Sequence, residues 1–180
     1  MNDNDDKYIY ELLNKHIEYC NLIDDINKKI KNMKKIRHPN FPESISEYIV
    51  KKCYENKYKV DVNFGKIGDL VYKDTRIEVK AFTSSGPSSF GPDEKWNQLI
   101  FVDASLFREK KFKIYQIDLS NDNPNWKNIK VNSKDTYEDH CKQKRRPRIL
   151  FSSIYKILND FIKVLFDGII KIDENKLNFS

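Results

Sequence analysis

A strand-like segment near the middle of the chain carries an acid and a base on one face. In "IEVKAF", the apolar residues Ile77, Val79 and Ala81 alternate with Glu78 and Lys80. Successive side chains of a β-strand point to opposite faces, so this carboxylate and ammonium lie side by side, away from the apolar face. An acid and a base so placed can hold a cation and orient a water beside a phosphate.

A second carboxylate joins this pair if the preceding segment, "GDLVYKDT", pairs with the strand as a hairpin. A tight turn at Lys73-Asp74 places Asp69 opposite Glu78, with Cβ atoms roughly 4.5–5.5 Å apart, whereas a longer turn would shift this register. Two carboxylates that close repel each other, and hard oxygen ligands select magnesium or a similar divalent ion to neutralise them. With Lys80 beside the metal, the group suits phosphodiester hydrolysis.

The acid-x-Lys spacing alone is not specific. It recurs elsewhere in the chain, for example at Glu55, Asp93, Glu109 and Glu174. A solvated strand face with a weak Glu–Lys pair is therefore the alternative interpretation. The copy that begins at Glu78 differs from the others in its context, because it lies on an apolar strand whose neighbour supplies an acid.

The pattern of apolar residues predicts one α/β domain over residues 1–180, with a helical region at 1–36. If the protein binds DNA, this region is a candidate for DNA contact or dimerisation. Apolar residues that recur every three or four positions predict four helices: over about 5–35, from residue 42, over 136–142 and from about 153. Alternation of apolar and polar residues predicts strands near 59–63, 68–72, 76–82, 99–103 and 113–119, and a short last strand is predicted at 169–172. The segment 120–134 is predicted to be a loop.

Composition favours a soluble protein with a polyanionic partner. The chain has 33 Lys and Arg against 27 Asp and Glu, a formal net charge of +6. Such an excess suits nucleic acid, although a genome rich in Lys codons would produce it as well. The three cysteines are scattered without CxxC spacing, which argues against a disulfide framework and a zinc site.

The location expected from the sequence is the cytoplasm. The acidic start "MNDNDDKY" is unlike a signal peptide. No apolar run approaches the ~20 residues that span a bilayer.

The order of these motifs resembles the PD-(D/E)XK nuclease superfamily, to which most type II restriction endonucleases belong. The shared order is a helix with a glutamate, then Gly68-Asp69, then Glu78-Val79-Lys80. The segments "HPNFPESISEYIV" and "IEVKAFTSSGPSSFGPDEKW" are similar to a small subgroup of type II restriction enzymes that cut GCNGC. The similarity covers about residues 37–103, with a weaker match at 145–149, and implies a mixed central sheet flanked by helices.

The resemblance implies a role for each residue of the motif. Asp69 and Glu78 correspond to the metal-binding acids, with the backbone carbonyl of Val79 as a further ligand, and Lys80 corresponds to the catalytic lysine. A glutamate of the preceding helix often completes such a site, and Glu47 and Glu43 are both candidates, one helical turn apart.

One position departs from the motif. Asp69 follows Gly68, where the motif's name has a proline, although many members lack that proline. Asp61 is the fallback for the first acid, but it lies further from Glu78 along the chain.

The loop after the strand and a basic run near residue 145 are the predicted DNA-reading elements. Serines can bond phosphates or base edges, a phenylalanine can wedge at a base step, and arginine pairs with guanine. An ordinary surface loop and a solvated charge run are the alternatives. The candidate DNA contacts are Ser84, Ser85, Ser88, Ser89, Phe90, Lys95, Lys144, Arg145, Arg146 and Arg148.

The resemblance implies a magnesium-dependent type II site-specific deoxyribonuclease that cuts double-stranded DNA and leaves 5′-phosphates. It also implies a homodimer, with the N-terminal helix or the C-terminal tail at the interface, and a DNA methyltransferase as functional partner. Two rival functions stay open. One is a structure-selective or repair nuclease of the same fold, and the other is a non-catalytic DNA-binding protein.

Overall fold

The computed structural model of the chain describes residues 4–66 and 68–180. Residues 1–3 and 67 of the expected 1–180 domain lie outside the described residues. The helices of the structure are α1 Asn4–Lys29, α2 Glu43–Tyr58, α3 Pro124–Lys127, α4 Tyr137–Lys142 and α5 Phe151–Leu158. The long N-terminal helix is confirmed, but it ends at Lys29 rather than near residue 35.

The strands form one large sheet and one small sheet. They are β1 Asn63–Phe64, β2 Leu70–Tyr72, β3 Thr75–Phe82, β4 Ser88–Ser89, β5 Gln98–Asp103, β6 Lys111–Ile117, β7 Arg148–Ile149, β8 Ile162–Asp173 and β9 Lys176–Phe179. The large sheet has the order β1-β2-β3-β5-β6-β8-β9, and β4 pairs with β7 separately. Strands β3 and β5 run parallel, whereas their neighbours pair antiparallel. The predicted mixed sheet flanked by helices is confirmed.

A hydrophobic core covers each face of the sheet. On one face, α1 and α2 pack buried side chains such as Leu13 and Ile49 against β3 and β5. The other face carries an aromatic cluster, defined here as Phe90, Trp96, Trp126 and Tyr137 with their aliphatic neighbours. Alternate residues of β5 enter the two cores, as the period of a strand requires. The sheet is therefore buried on both faces where β3 and β5 meet.

Two predicted elements in the first 134 residues are wrong. The strand expected at 59–63 begins only at Asn63, as β1, because α2 continues to Tyr58 and Lys59 ends the helix in the left-handed conformation, with φ 55° and ψ 48°. The loop expected at 120–134 contains α3, which the Asn123 side chain caps by accepting the N–H of Asn125. Trp126 of α3 is fully buried, so core packing stabilises this short helix.

The C-terminal tail is less helical than its pattern predicted. Helix α5 ends at Leu158, and the chain then forms β8, which pairs along β6. The short last strand expected at 169–172 is part of β8. A further strand, β9, follows a turn in which Glu174 and Asn175 have φ of 46° and 64°. None of the helices among the described residues combines the length and apolarity that a membrane span requires.

Candidate active site

The hairpin of β2 and β3 has the register that the sequence predicted. Tyr72 pairs with Thr75 across the two-residue turn, and Leu70 pairs with Ile77. Lys73 accommodates the turn with a φ of 51°. Continued by one residue, this register sets Asp69 opposite Glu78.

Asp69 is fixed against the backbone of β3. Its Oδ2 accepts the N–H of Val79 at 2.7 Å. The carbonyl of Asp69 accepts the N–H of Gly65 at 3.1 Å, which holds the residue at the start of β2. Burial raises the pKa of the Asp69 carboxyl above its usual value, although the Val79 N–H and the nearby Lys80 act in the opposite direction.

Glu78 and Lys80 form an ion pair on the buried part of β3. Glu78 is only 4% exposed, and the Lys80 ammonium donates a hydrogen bond to its Oε1. Burial raises the pKa of Glu78 to about 7, even though Lys80 favours the ionised form. Burial lowers the pKa of Lys80, but Glu78, Glu94 and Asp69 together more than offset it, so the net shift is upward and the lysine stays charged.

Helix α2 brings its glutamates to the same cleft. Glu43 and Glu47 lie one turn apart at the start of the helix, and both line the cleft with Asp69. Burial raises the pKa of Glu47 to about 7, and Asp69 and Glu43 add to the shift by repulsion. Both helix glutamates that the sequence left open therefore face the first acid of the motif.

The cleft is large enough to admit a DNA backbone segment, with a volume of about 550 Å³. Acids from α2, β3 and two loops line it. The loop after β3 and two arginines of the basic run, Arg146 and Arg148, line it as well. The lining thus combines an acidic centre with a basic margin.

The predicted DNA contacts divide into two groups. Lining the cleft are Ser84, Ser88, Ser89, Arg146 and Arg148. Ser85 is exposed on the same loop but outside that lining.

The other three basic candidates lie apart from the cleft, in ion pairs. The ammonium of Lys95 lies 3.3 Å from the Asp122 carboxylate, beside a separate depression. Lys144 pairs with Asp93 at 2.5 Å. Arg145 lies 3.7 Å from the carboxylate of Asp135. These three side chains are partly neutralised and do not line the acidic centre.

The predicted contact of Phe90 with DNA is wrong. Its ring is 0% exposed and lies 5.7 Å from the ring of Trp96 and 5.4 Å from that of Trp126, measured between centroids. Its N–H donates to the carbonyl of Pro147 at 3.0 Å, directly after β4 pairs with β7. The serine-rich loop therefore returns to the core at Phe90, which places the ring inside the protein.

Sequence reasoning missed one acid of the cleft. Glu94 lines it, with Oε2 3.6 Å from the ammonium of Lys80. It lies in a turn between β4 and β5, where no strand or helix period indicates the direction of a side chain. The segment "GPDE" was a turn signal, but nothing in it distinguishes Glu94 from the exposed Asp93 beside it.

The donor set fits a magnesium ion. Among the residues that the structure describes, no group of three or more His, Cys, Asp or Glu side chains is close enough to hold a metal. Magnesium, however, is usually bound by one or two carboxylates, with waters and phosphate oxygens at the other positions. The contacts above engage Asp69 Oδ2 and Glu78 Oε1, so one oxygen of each carboxylate is left for a cation. A cation would also relieve the cost of ionising two buried acids.

Glu47→Gln is expected to stabilise the protein more at pH 8 than at pH 5. The folded pKa of about 7 exceeds the unfolded value of 4.5, so the folded state binds more protons between these values. The free energy of unfolding of the wild type therefore falls as pH rises through that window, and glutamine removes the loss. We expect a gain of about 1–3 kcal/mol at pH 8 after allowing for partial exposure.

Urea unfolding of both proteins without divalent ions, at the two pH values, measures this difference. An equal stability difference at pH 5 and pH 8 would contradict the burial of an ionisable Glu47.

Comparison with known proteins places the chain in a family. The sequence model of the family described as Bsp6I restriction endonuclease matches residues 5–162, which include every candidate of the cleft. The curated protein named type II restriction enzyme Bsp6I, from Bacillus sp. (strain RFL6), is 31% identical over 128 residues, 69% of each chain. No solved structure matches this chain. The chain belongs to the Bsp6I restriction endonuclease family, and it is a site-specific deoxyribonuclease.

Proposed function

We propose that the cleft is the active centre and that it cuts both strands of a short DNA site by magnesium-dependent hydrolysis. The observation that carries this proposal is the convergence of Asp69, Glu78 and Lys80 in one cleft whose margin is basic. Surface charges on a binding protein would be solvated, whereas Glu78 is buried and its pKa is displaced to about 7. This favours catalysis over the rival of a non-catalytic DNA-binding protein.

Each residue has a distinct role in this proposal. Asp69 and Glu78, with the backbone carbonyl of Val79, bind the ion, and Glu47 or Glu43 completes the site through a water or directly. A magnesium ion bound there would stabilise the charge of the attacked phosphate and activate a water. Lys80 holds Glu78 in place and lies where it can orient the attacking water or stabilise developing negative charge.

The products follow from the chemistry of water attack. The water oxygen bonds to phosphorus, and the bond between phosphorus and the 3′-oxygen breaks. A proton ends on the 3′-oxygen, so the products are a 5′-phosphate and a 3′-hydroxyl. Arginines at the cleft margin suit a site rich in guanine, and we propose GCNGC as that site. Arg146 and Arg148 are the base-reading candidates because they line the cleft.

Ser84, Ser88 and Ser89 are proposed to bind phosphates beside these arginines, and Ser85 to do so at the outer edge of the loop. Lys95, Lys144 and Arg145 lie in ion pairs outside the cleft. We assign them general attraction of the DNA rather than base contacts.

Mapping the ends of the fragments from a digest tests this proposal. Unmethylated phage DNA is incubated with the purified protein and magnesium, and the fragment ends are sequenced. The proposal expects every end to lie at GCNGC and to carry a 5′-phosphate that a ligase accepts. Ends at one other sequence would refute the GCNGC assignment. Uncut linear duplex together with cut branched DNA would favour the structure-selective rival.

We also propose a homodimer, because a double-strand cut in a symmetric site suits a two-fold assembly. Helix α1 supports the proposal through an apolar stripe that its own chain leaves exposed. The stripe consists of Tyr8, Leu12, Tyr19, Leu22 and Ile26, and each side chain is 37–59% exposed. Their steps of four, seven, three and four residues follow the seam of a helix pair.

Charge favours an antiparallel pairing of two α1 helices. The first turn of α1 carries the exposed Asp5, and the last turn is basic, with Lys28 and Lys29. An antiparallel copy brings the acidic end of one helix to the basic end of the other. The lysine within the stripe, Lys15, pairs with Glu18 of its own helix at 2.9 Å, which reduces its charge at the seam.

Leu22→Glu is expected to convert the dimer to monomer, because two glutamates would be buried in one symmetric interface. Light scattering coupled to size exclusion measures the mass, against 21.5 kDa for one chain. Ile157→Glu is the matched control, since Ile157 is 51% exposed on the C-terminal tail, the other interface that the sequence left open. A monomeric Ile157→Glu beside a dimeric Leu22→Glu would transfer the interface to the tail.

A DNA methyltransferase that protects the same site in the host is the proposed functional partner. In the bacterial cytoplasm, the methyltransferase would then protect chromosomal DNA, and this protein would cut invading DNA that is not methylated.

A further inference from the structure

The turn of Gly91, Pro92, Asp93 and Glu94 brings a second carboxylate, that of Glu94, close to the ammonium of Lys80. Oε2 of Glu94 is 3.6 Å from Lys80 Nζ. Among the described residues this oxygen is buried without a hydrogen-bond partner. A buried carboxylate oxygen without a partner is costly, so its direction toward Lys80 calls for a role.

Lys80 lies between two carboxylates within a confined space. It donates a hydrogen bond to Glu78 on one side, while Glu94 lies beyond hydrogen-bond distance on the other. Its ammonium is 5.6 Å from the centroid of the buried Phe90 ring, and its side chain is only 18% exposed. The ammonium can therefore reach either carboxylate by a small rotation, but it has little room to leave them.

We propose that Glu94 is a positioning residue that holds Lys80 in the cleft when Glu78 turns to a bound cation. This proposal rests on the proposed function. A cation bound to Glu78 would weaken the ion pair between Glu78 and Lys80. Glu94 would then be the nearest carboxylate to Lys80 that does not bind the cation. Glu94 acts through Lys80 and does not touch the substrate.

Gly91 provides the space that this arrangement needs. A Cβ atom at Gly91 would lie 2.7 Å from Oε1 of Glu94 and 2.9 Å from its Cδ and Cγ. Such distances are too short for van der Waals contact, so an alanine would displace the Glu94 side chain. Because Gly91 does not have positive φ, the substitution acts on Glu94 rather than on the backbone.

The neighbouring acid offers a matched control. Asp93 has the same charge as Glu94, but its side chain is 74% exposed and pairs with Lys144. Asn121 fixes the turn by donating to the carbonyl of Glu94 at 3.1 Å and accepting the N–H of Trp96 at 3.2 Å. Asp93→Asn therefore removes one negative charge from the same turn without altering the surroundings of Lys80.

The first measurement is the ¹⁵N resonance of the Lys80 ammonium in the metal-free protein, assigned by its loss in Lys80→Ala. The resonance should shift in Glu94→Gln and in Gly91→Ala, and should stay in place in Asp93→Asn. A resonance that is unchanged in all three variants would overturn the proposal.

The second measurement is the single-turnover rate of DNA cleavage with saturating enzyme. Glu94→Gln should lower the rate about 10- to 100-fold with unchanged Kd for DNA, and Glu94→Asp should recover part of it. Asp93→Asn should stay within about twofold of the wild type. If Glu94→Gln cut DNA at the wild-type rate while Lys80→Ala was inactive, the role of Glu94 would be refuted and the proposed function would stand. A wild type that cuts no DNA would refute the proposed function, whereas the resonance would still test the contact.

Discussion

Lys80→Ala is expected to lower the rate of DNA cleavage by at least about 10²- to 10³-fold, the effect of losing one preorganised charge in a dry site. Lys80 is charged, largely buried and hydrogen-bonded to Glu78 in the cleft. DNA binding should be retained, because the arginines at the margin of the cleft are unchanged. Single-turnover cleavage and a binding titration with calcium in place of magnesium separate the two effects.

Lys144→Ala is the control for the removal of a lysine charge. Lys144 is 72% exposed and pairs with Asp93, so its loss should weaken DNA binding slightly and leave the rate of cleavage by bound enzyme unchanged. Equal rates for Lys80→Ala and Lys144→Ala would contradict the assignment of Lys80.

Phe90→Ala is expected to lower the free energy of unfolding by about 3–5 kcal/mol, the usual cost of truncating a buried aromatic side chain. Phe90 is fully buried among aromatic rings, so alanine leaves a cavity at the centre of the cluster. Urea unfolding measures the loss. Phe64→Ala is the matched control, because Phe64 is 54% exposed and should cost far less.

The same pair of variants separates a core role from a DNA contact. If Phe90 met DNA at the surface, its truncation would weaken binding and leave stability nearly unchanged. That result would contradict the packing of the aromatic cluster. Phe90→Leu should recover part of the stability, because leucine keeps much of the buried apolar volume.

The hairpin of the site could be predicted from sequence because its determinants are local. Alternation fixed the faces of Glu78 and Lys80, and the two-residue turn at Lys73-Asp74 fixed the register with Asp69. A tight turn leaves few alternative pairings, so the two acids could be placed together without knowledge of the rest of the fold.

The residues that were predicted wrongly, or missed, are those whose placement depends on contacts distant in sequence. Phe90 has the setting of a loop residue, and only the pairing of β4 with β7 turns it inward. Glu94 shares its turn with an exposed acid, and its direction follows from the space at Gly91. The first part of β8 was predicted to be helix because its apolar residues fit both the helix and the strand period, and its pairing with β6 decided between them.

The most direct test of the active centre compares two aspartates. Asp69→Asn and Asp61→Asn are each incubated with unmethylated phage DNA in magnesium and in EDTA. Asp69 lines the cleft and is bound to the backbone of β3, whereas Asp61 is exposed and does not line it. We predict discrete magnesium-dependent fragments from the wild type and from Asp61→Asn, and intact DNA from Asp69→Asn, which should still bind DNA. Fragments from Asp69→Asn with intact DNA from Asp61→Asn would contradict the account and move the centre to the other acid.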